Sequence, residues 1–107
     1  MKQKILTIPG VEYFGSWELL QGFLEFRGNP PWRCDGNLDL SGTNIKHLNN
    51  LVSVGGDLNL YKTPIKSLGS LQSVGGYLDL CGTPLAKKYT KEQIRKIIDV
   101  KDDIFLK

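Results

Sequence analysis

The chain has 107 residues, of which 40% are hydrophobic and 23% are charged, and its formal net charge is +3. These values predict one folded domain rather than a disordered chain, and the charge is too small to indicate a nucleic-acid partner by itself. No apolar run is long enough for a membrane span, and two cysteines are too few for a secreted disulfide scaffold, so we expect a cytoplasmic protein.

The N-terminal segment, residues 1–34, predicts a cap followed by an irregular coil. Residues 4–8 are a candidate edge strand. Four large apolar side chains are candidates for an aromatic-rich cap over the end of the fold: Phe14, Trp17, Leu19 and Leu20. Residues 21–26 align with residues 55–60 farther along the chain. This alignment predicts a first strand with Leu24 and Phe26 facing inward and Glu25 facing outward.

A twenty-residue repeat occupies residues 35–86. The pattern Gly-x-Leu-x-Leu occurs three times, with its first leucine at Leu38, Leu58 and Leu78. The threonines at 43, 63 and 83 keep the same spacing, as do the apolar residues at 45, 65 and 85. Agreement at this many positions predicts three copies of one structural unit.

Each part of the unit has a physical interpretation. The Leu-x-Leu pair alternates with period two, which predicts a short strand with both leucines inward. The threonine hydroxyl is placed to hydrogen-bond buried backbone groups, and the glycine pairs 55–56 and 75–76 predict a tight corner. Apolar residues then recur at every third position, which predicts a return segment resembling a 3₁₀ helix.

The C-terminal segment, residues 87–107, predicts a capping helix and a last strand. Thr90 and Gln93 have the spacing of a capping box, and a helix is expected over residues 91–99. Ile94, Ile97 and Ile98 would line its buried face. Residues 100–106 align with residues 54–60 and predict the final strand.

The repeat resembles the leucine-rich repeat, with Leu58, Leu60, Thr63 and Ile65 at the matching positions. Asp35, Gly55 and Gly75 occupy the slot of the family's first leucine, and threonine replaces its asparagine. These departures suggest a tighter corner and a weaker ladder of backbone-capping hydrogen bonds. The resemblance implies one α/β domain, a short right-handed solenoid with a parallel sheet, an aromatic N-terminal cap and a C-terminal capping helix. The layout looks like that of short leucine-rich-repeat proteins of phage and bacterial genomes.

The outward positions beside the inward leucines form what we call the strand face, which in solenoids is usually the binding face. It combines carboxylates with aromatic rings. Like charges on adjacent strands destabilise a sheet, so their presence on this face suggests a function. We expect a basic protein partner to dock here, with the tyrosines as rigid anchors. A solvated face without a partner and a calcium site are the alternatives. The candidate partner-binding residues are Glu25, Asp39, Asp57, Asn59, Tyr61, Tyr77, Asp79, Asp103 and Phe105.

A second class of function is nucleic-acid binding, because basic residues cluster after the repeats. The candidate phosphate contacts are Lys87, Lys88, Lys91 and Arg95. Interleaved acidic residues and the absence of an accompanying aromatic stacking pair favour a solvated cap helix instead. Self-association into a homodimer through the sheet edges is a third possibility.

Catalysis has little support in the sequence. His47 is the single histidine, Cys34 replaces a core valine of the repeat, and Cys81 faces outward near Asp79. No metal-ligand spacing, phosphate loop or nucleophile motif is present, so we expect neither a cofactor nor an enzyme. The sequence therefore predicts a protein–protein interaction module. The resemblance to short phage leucine-rich-repeat proteins implies a phage accessory protein that binds and inhibits a host defence protein.

Overall fold

A computed structural model describes residues 4–106 of the chain, leaving residues 1–3 and 107 undescribed. The described part has three α-helices, which are α1 (Trp17–Phe26), α2 (Pro84–Lys88) and α3 (Lys91–Ile97). A single 3₁₀ turn covers Val11–Tyr13. The strands are β1 (Leu6–Ile8), β2 (Trp32–Cys34), β3 (Leu38–Asp39), β4 (Leu51–Val54), β5 (Leu58–Asn59), β6 (Ser73–Val74), β7 (Leu78–Asp79), β8 (Asp99–Val100) and β9 (Ile104–Phe105).

The strands form two parallel sheets. The five-stranded sheet has the order β1-β2-β4-β6-β8, and the four-stranded sheet has the order β3-β5-β7-β9. From β2 onward the chain alternates between the sheets, so each passage adds one strand to both. Paired residues are 20 positions apart in the repeats, as for Leu38 and Leu58, and 26 apart in the last passage, as for Leu78 and Ile104. Leu38 pairs with Leu58, and Leu58 pairs with Leu78. The predicted register between neighbouring copies of the unit is confirmed.

The corner between the sheets depends on glycine. A Cβ atom added to Gly75 would overlap the carbonyl oxygen of Gly55, and one added to Gly55 would overlap the carbonyl oxygen of Asp35. The amide of Gly75 donates to the carbonyl of Val54 across 2.8 Å. Because successive backbones pass this close, the corner leaves no room for a side chain, as the tight turn predicted.

The core lies between the two sheets and contains the leucines of the repeat. Leu38, Leu58 and Leu78 are completely buried. The buried hydroxyls of Thr63 and Thr83 donate to the carbonyls of Leu60 and Leu80, at 2.9 and 2.7 Å. Thr43 makes the same contact with Leu40 at 2.7 Å. The predicted role of the threonines is confirmed, since each satisfies a carbonyl at the end of its strand.

The return segment contains no helix, so the prediction of a 3₁₀-like arm was wrong. In the first unit, residues 44–48 have no regular secondary structure and residues 49–50 form a turn. The return segment ends in β4 in the first unit and in β6 in the second. Its backbone finds partners in the neighbouring unit, for example where the amide of Gln72 donates to the carbonyl of Val52 at 2.7 Å. A pattern of apolar residues at every third position is compatible with a 3₁₀ helix and also with a non-helical segment. Each unit keeps one local bond, from the Leu51 amide to the Leu48 carbonyl at 3.2 Å and from the Leu71 amide to the Leu68 carbonyl at 3.1 Å. The second sheet supplies partners for the residues that follow.

The N-terminal end carries a helix where a strand was predicted. Ser16 caps α1 by accepting a hydrogen bond from the amide of Leu19 at 3.2 Å. Trp17, Leu20 and Leu24 are buried at helical spacing, whereas Phe26 is 86% exposed. The alternation of apolar residues around Glu25 resembles that of a strand. The Ser16 cap and the helical spacing of the buried residues favour the helix instead.

The side chains expected to form an aromatic N-terminal cap pack together in part. Trp17 and Trp32 lie with ring centroids 6.3 Å apart, and the indole nitrogen of Trp32 donates to the carbonyl of Leu48 at 3.1 Å. Leu20 is buried and Phe14 packs against the core, but Leu19 is exposed and contributes nothing to the cap. The expected edge strand in residues 4–8 is confirmed, since β1 borders the five-stranded sheet and pairs with β2.

The C-terminal end is covered by two short helices instead of one. The predicted capping box is confirmed, since Thr90 Oγ1 accepts from the Gln93 amide at 3.2 Å and Gln93 Oε1 accepts from the Thr90 amide at 2.9 Å. Helix α3 ends at Ile97, and Ile98 is already extended. Ile94 and Ile98 are buried, but Ile97 is 62% exposed, contrary to its predicted place on the buried face.

The predicted last strand is divided between the sheets. In β8, Val100 pairs with Val74 of the five-stranded sheet, and in β9, Phe105 pairs with Asp79 of the four-stranded sheet. Residues 100–106 repeat the corner of the earlier units, as their alignment with residues 54–60 predicted. The alignment did not show that this corner joins two strands that belong to different sheets. No helix within residues 4–106 combines the length and apolar character needed to cross a bilayer.

Candidate binding surface

The strand face is formed by the outward positions of the four-stranded sheet. Asp39, Asn59, Asp79 and Phe105 pair in succession along neighbouring strands. The positions one residue before the inward side chains form a second row, which contains Asn37, Asp57, Tyr77 and Asp103. Together the two rows contain seven of the nine predicted partner-binding residues, and Tyr61 follows the inward Leu60. Glu25 was wrongly assigned to this surface, because it is an exposed residue of α1.

A shallow cleft of about 130 Å³ brings residues of both rows together. Its lining includes Asp39, Asp57, Asn59 and Tyr77. Asp39 and Asn59 lie in β3 and β5, whereas Asp57 and Tyr77 directly precede β5 and β7. Equivalent positions are separated by one unit of the repeat. The cleft therefore exists only because the units are in register.

Within the first row, the carboxylate and amide side chains cap the ends of their own strands. Asp39 Oδ1 accepts from the Ser41 amide at 3.1 Å. Asn59 Oδ1 accepts from the Tyr61 amide at 3.0 Å, and Asp79 Oδ1 accepts from the Cys81 amide at 2.9 Å. Each bond reaches the residue two positions later, which is the geometry of an Asx turn. Asp and Asn are interchangeable in this role.

In the second row, side chains connect one unit to the next. Asn37 Oδ1 accepts from the Asp57 amide at 2.8 Å, and Asp57 Oδ1 accepts from the Tyr77 amide at 2.9 Å. Both bonds span twenty residues. The sequence analysis missed this ladder, although the recurrence of Asn and Asp at equivalent positions was its visible signal. The carboxylates thus have a structural role as well as a charge.

Asp103 ends the second row differently. Its Oδ1 accepts from the Ile104 amide at 2.8 Å and lies 3.4 Å from Lys91 Nζ. The backbone hydrogen bond, followed by the contact with Lys91, lowers the pKa of the Asp103 carboxyl below its usual value. Its negative charge is therefore partly compensated within the protein.

The aromatic residues of the strand face lie beside the last three of its four strands. Tyr77 and Phe105 pack edge to face with ring centroids 5.6 Å apart. Tyr61 and Phe105 remain 42% and 41% exposed. Partial desolvation raises the pKa of the Tyr77 phenol, and the carboxylates of Asp57, Asp79 and Asp39 raise it further. Aromatic side chains are enriched among the residues that contribute most to protein–protein binding.

The charge of the strand face is not neutralised by salt bridges at its centre. The ion pairs of the described residues are Arg33–Asp35, Lys91–Asp103 and Lys101–Asp99. Asp39, Asp57 and Asp79 take part in none of these three. Because hydrogen bonds hold these carboxylates in place, their negative potential has a fixed position.

A cation site was an alternative interpretation of the same carboxylates. Within residues 4–106, no group of three or more His, Cys, Asp or Glu side chains is arranged to hold a metal ion.

The basic residues of the C-terminal segment have structural contacts. The Arg95 guanidinium donates to the carbonyls of Val100 and Asp102, both at 2.7 Å, while Lys91 contacts Asp103. Lys87 and Lys88 belong to α2 and so do not continue the helical row of Lys91 and Arg95. These contacts indicate that Lys91 and Arg95 attach the last strands to α3. They favour this structural role rather than the binding of phosphate groups.

The remaining candidates for chemistry lie apart from one another. His47 Nδ1 accepts from the Asn49 amide at 3.3 Å. Cys34 is buried between β1 and β4, where it pairs with Ile8 and Val54, which confirms its expected place in the core. Burial raises the pKa of the Cys34 thiol, against a smaller opposing effect of its hydrogen bond with Gly36. A thiol with a raised pKa is a weak nucleophile.

Comparisons with known proteins identify no relative of this chain. No protein-family model, curated protein or solved structure matches it.

Proposed function

We propose that the chain is a short right-handed solenoid of the leucine-rich-repeat type. Three observations support this proposal: the twenty-residue repeat, the alternation of the chain between two parallel sheets, and the pairing of equivalent leucines in adjacent units. Helix α1 at one end and helices α2 and α3 at the other would act as caps. A solenoid needs such atypical ends because its terminal units otherwise expose the core.

The proposed function is protein–protein interaction through the strand face, with no enzymatic step. The observation that carries it is the fixed, unpaired charge of Asp39, Asp57 and Asp79 beside exposed aromatic rings. A basic partner would supply the missing positive charges, while Tyr61 and Phe105 would provide apolar contact.

The proposed partner class rests on the resemblance to short phage leucine-rich-repeat proteins. We propose that the protein is a phage accessory factor that acts in the host cytoplasm by binding and inhibiting a defence protein. Electrostatic attraction would speed association with such a basic target, and this effect would weaken as salt screens the charges.

The test uses a triple substitution that removes charge and keeps the hydrogen bonds. Asp39→Asn, Asp57→Asn and Asp79→Asn copy the chain's own Asn37 and Asn59, which make the same contacts. Partners captured from host lysate by the wild-type chain are quantified by mass spectrometry. The partner of the strand face should be lost from the triple variant, because three charges have gone while the fold is preserved.

The matched control removes three charges elsewhere, through Glu18→Gln, Glu25→Gln and Glu92→Gln, all at exposed positions and none in an ion pair of the described residues. This control should retain the partner. Thermal unfolding of both variants should match that of the wild type. Equal capture by the wild type and the strand-face variant would refute the proposed site.

A further inference from the structure

A second cleft, of about 240 Å³, opens at the C-terminal end of the molecule. It lies between residues 66–69 of the second return segment and helices α2 and α3. Its buried apolar lining consists of Leu80, Leu85, Ile94 and Ile98, each no more than 2% exposed. The cleft shares no lining residue with the cleft on the strand face. It is therefore a separate feature of the molecule.

Apolar side chains also form the outer wall of this cleft. Ile97 is 62% exposed at the end of α3, while Leu68 and Tyr89 are half-buried. Isolated exposed apolar residues are common on protein surfaces, whereas apolar side chains that converge on one concave site are typical of binding pockets. An apolar group bound here would cover Ile97 and complete the burial of Leu68.

The charged residues at the cleft are exclusively basic. Lys66 and Lys88 line it, and none of the eleven lining residues is acidic. Neither lysine takes part in the ion pairs of the described residues. An occupant of matching chemistry would therefore carry carboxylates next to its apolar group.

The volume of the cleft limits the size of the occupant. Pockets for drug-sized ligands measure about 300–1,000 Å³. A smaller, partly open cleft is better suited to one or two side chains of a peptide, inserted as an anchor. We propose that this cleft is a second docking site, which takes a bulky apolar side chain from an acidic peptide segment whose carboxylates contact Lys66 and Lys88. The site would bind a partner of opposite charge to the one proposed for the strand face.

A random peptide display library, selected on the full-length protein at low salt, tests this proposal. Selected peptides should be enriched in Asp and Glu around a Leu, Ile, Phe or Met residue. A synthetic peptide from the selected pool should bind about tenfold more weakly to the double variant Lys66→Glu, Lys88→Glu and to Ile97→Asp. The affected side chains are exposed, so thermal unfolding should stay close to that of the wild type.

The single variant Lys66→Glu should also bind the peptide more weakly. Its matched control is Lys46→Glu, because Lys46 is exposed and occupies the position equivalent to Lys66 one unit earlier, outside the cleft. This variant should bind the peptide as the wild type does. The proposal is overturned if no peptide is selected, if acidic residues are not enriched, or if Lys46→Glu weakens binding equally. It is also overturned if octanoate binds where peptides do not, or if Ile97→Asp converts a dimer of this chain into a monomer in sedimentation experiments.

Discussion

The repeated middle of the molecule and the helices at its two ends are held together differently. In the middle, polar contacts recur at equivalent positions, from Thr43, Thr63 and Thr83 to strand carbonyls and from Asn37 and Asp57 to amides of the next unit. At the ends, helices α1 and α3 cover the core with apolar faces and begin with capping residues. The middle therefore requires particular residues, whereas the ends require mainly an amphipathic pattern.

Glycine illustrates the same contrast. At Gly75 an added Cβ atom would overlap the backbone of Gly55, whereas at Gly22 of α1 it would find no atom within 4 Å. The same substitution should thus have opposite effects on stability in the two regions.

The largest effect is expected for Gly75→Ala. The neighbouring units must separate to admit the methyl group, which should lower the free energy of unfolding by about 3 kcal/mol. Urea denaturation followed by circular dichroism measures this change. A loss below about 0.5 kcal/mol would show that the units are not packed as closely as the corner requires.

A smaller loss is expected for Asp57→Ala, which leaves the Tyr77 amide without its side-chain acceptor. The predicted cost is about 1–3 kcal/mol. Asp57→Asn should cost less than about 0.5 kcal/mol, because Asn37 makes the equivalent bond in the preceding unit. If denaturation shows Ala and Asn to be equally harmful, the carboxylate contributes through its charge and not through the ladder.

Gly22→Ala should have the opposite sign. Alanine is favoured over glycine in a helix interior by about 0.5–1 kcal/mol, and the exposed position in α1 accepts a methyl group without contact. The free energy of unfolding should rise by that amount in the same denaturation experiment. A decrease would mean that this face of α1 is covered in solution.

The smallest effect concerns the pKa of Tyr77, which is raised above its usual value. Between the unfolded pKa, near 10, and the higher folded pKa, the folded state holds the proton more tightly. This contribution to stability is complete below pH 10 and is lost as pH rises through the folded pKa. NMR titration of ¹³C-labelled tyrosine should show the Tyr77 pKa falling towards 10 in Asp57→Asn. An unchanged value would show that the carboxylate does not act on the phenol.

The sequence predicted the middle of the molecule better than its ends. A period of twenty residues places Leu38 beside Leu58, and therefore Asp39 beside Asn59, without knowledge of the conformation between them. The five-stranded sheet was not predicted, because its strands in the regular units lack alternation with period two. In β4 the buried Leu51 and Val54 are three positions apart, and in β6 only Val74 is buried. The hydrogen bonds of Asn37 and Asp57 were also missed, since a repeated polar residue on an exposed strand resembles a simple solvated surface.

At the ends, local patterns were ambiguous. Alternating apolar residues around Glu25 fitted a strand, and only the cap at Ser16 with the spacing of Trp17, Leu20 and Leu24 distinguishes the helix. The C-terminal cleft depends on the break between α2 and α3 and on the early end of α3 at Ile97. Neither boundary follows from the helical spacing of the isoleucines.

Cross-strand contacts in solution test most directly the claim that the units stack in register to form the strand face. We predict NMR contacts between backbone protons of Leu38 and Leu58, of Leu58 and Leu78, and of Leu78 and Ile104, together with slow exchange of the Leu58 and Leu78 amides. Contacts that place Leu58 beside residues other than Leu38 and Leu78, or rapid exchange of both amides, would contradict the account.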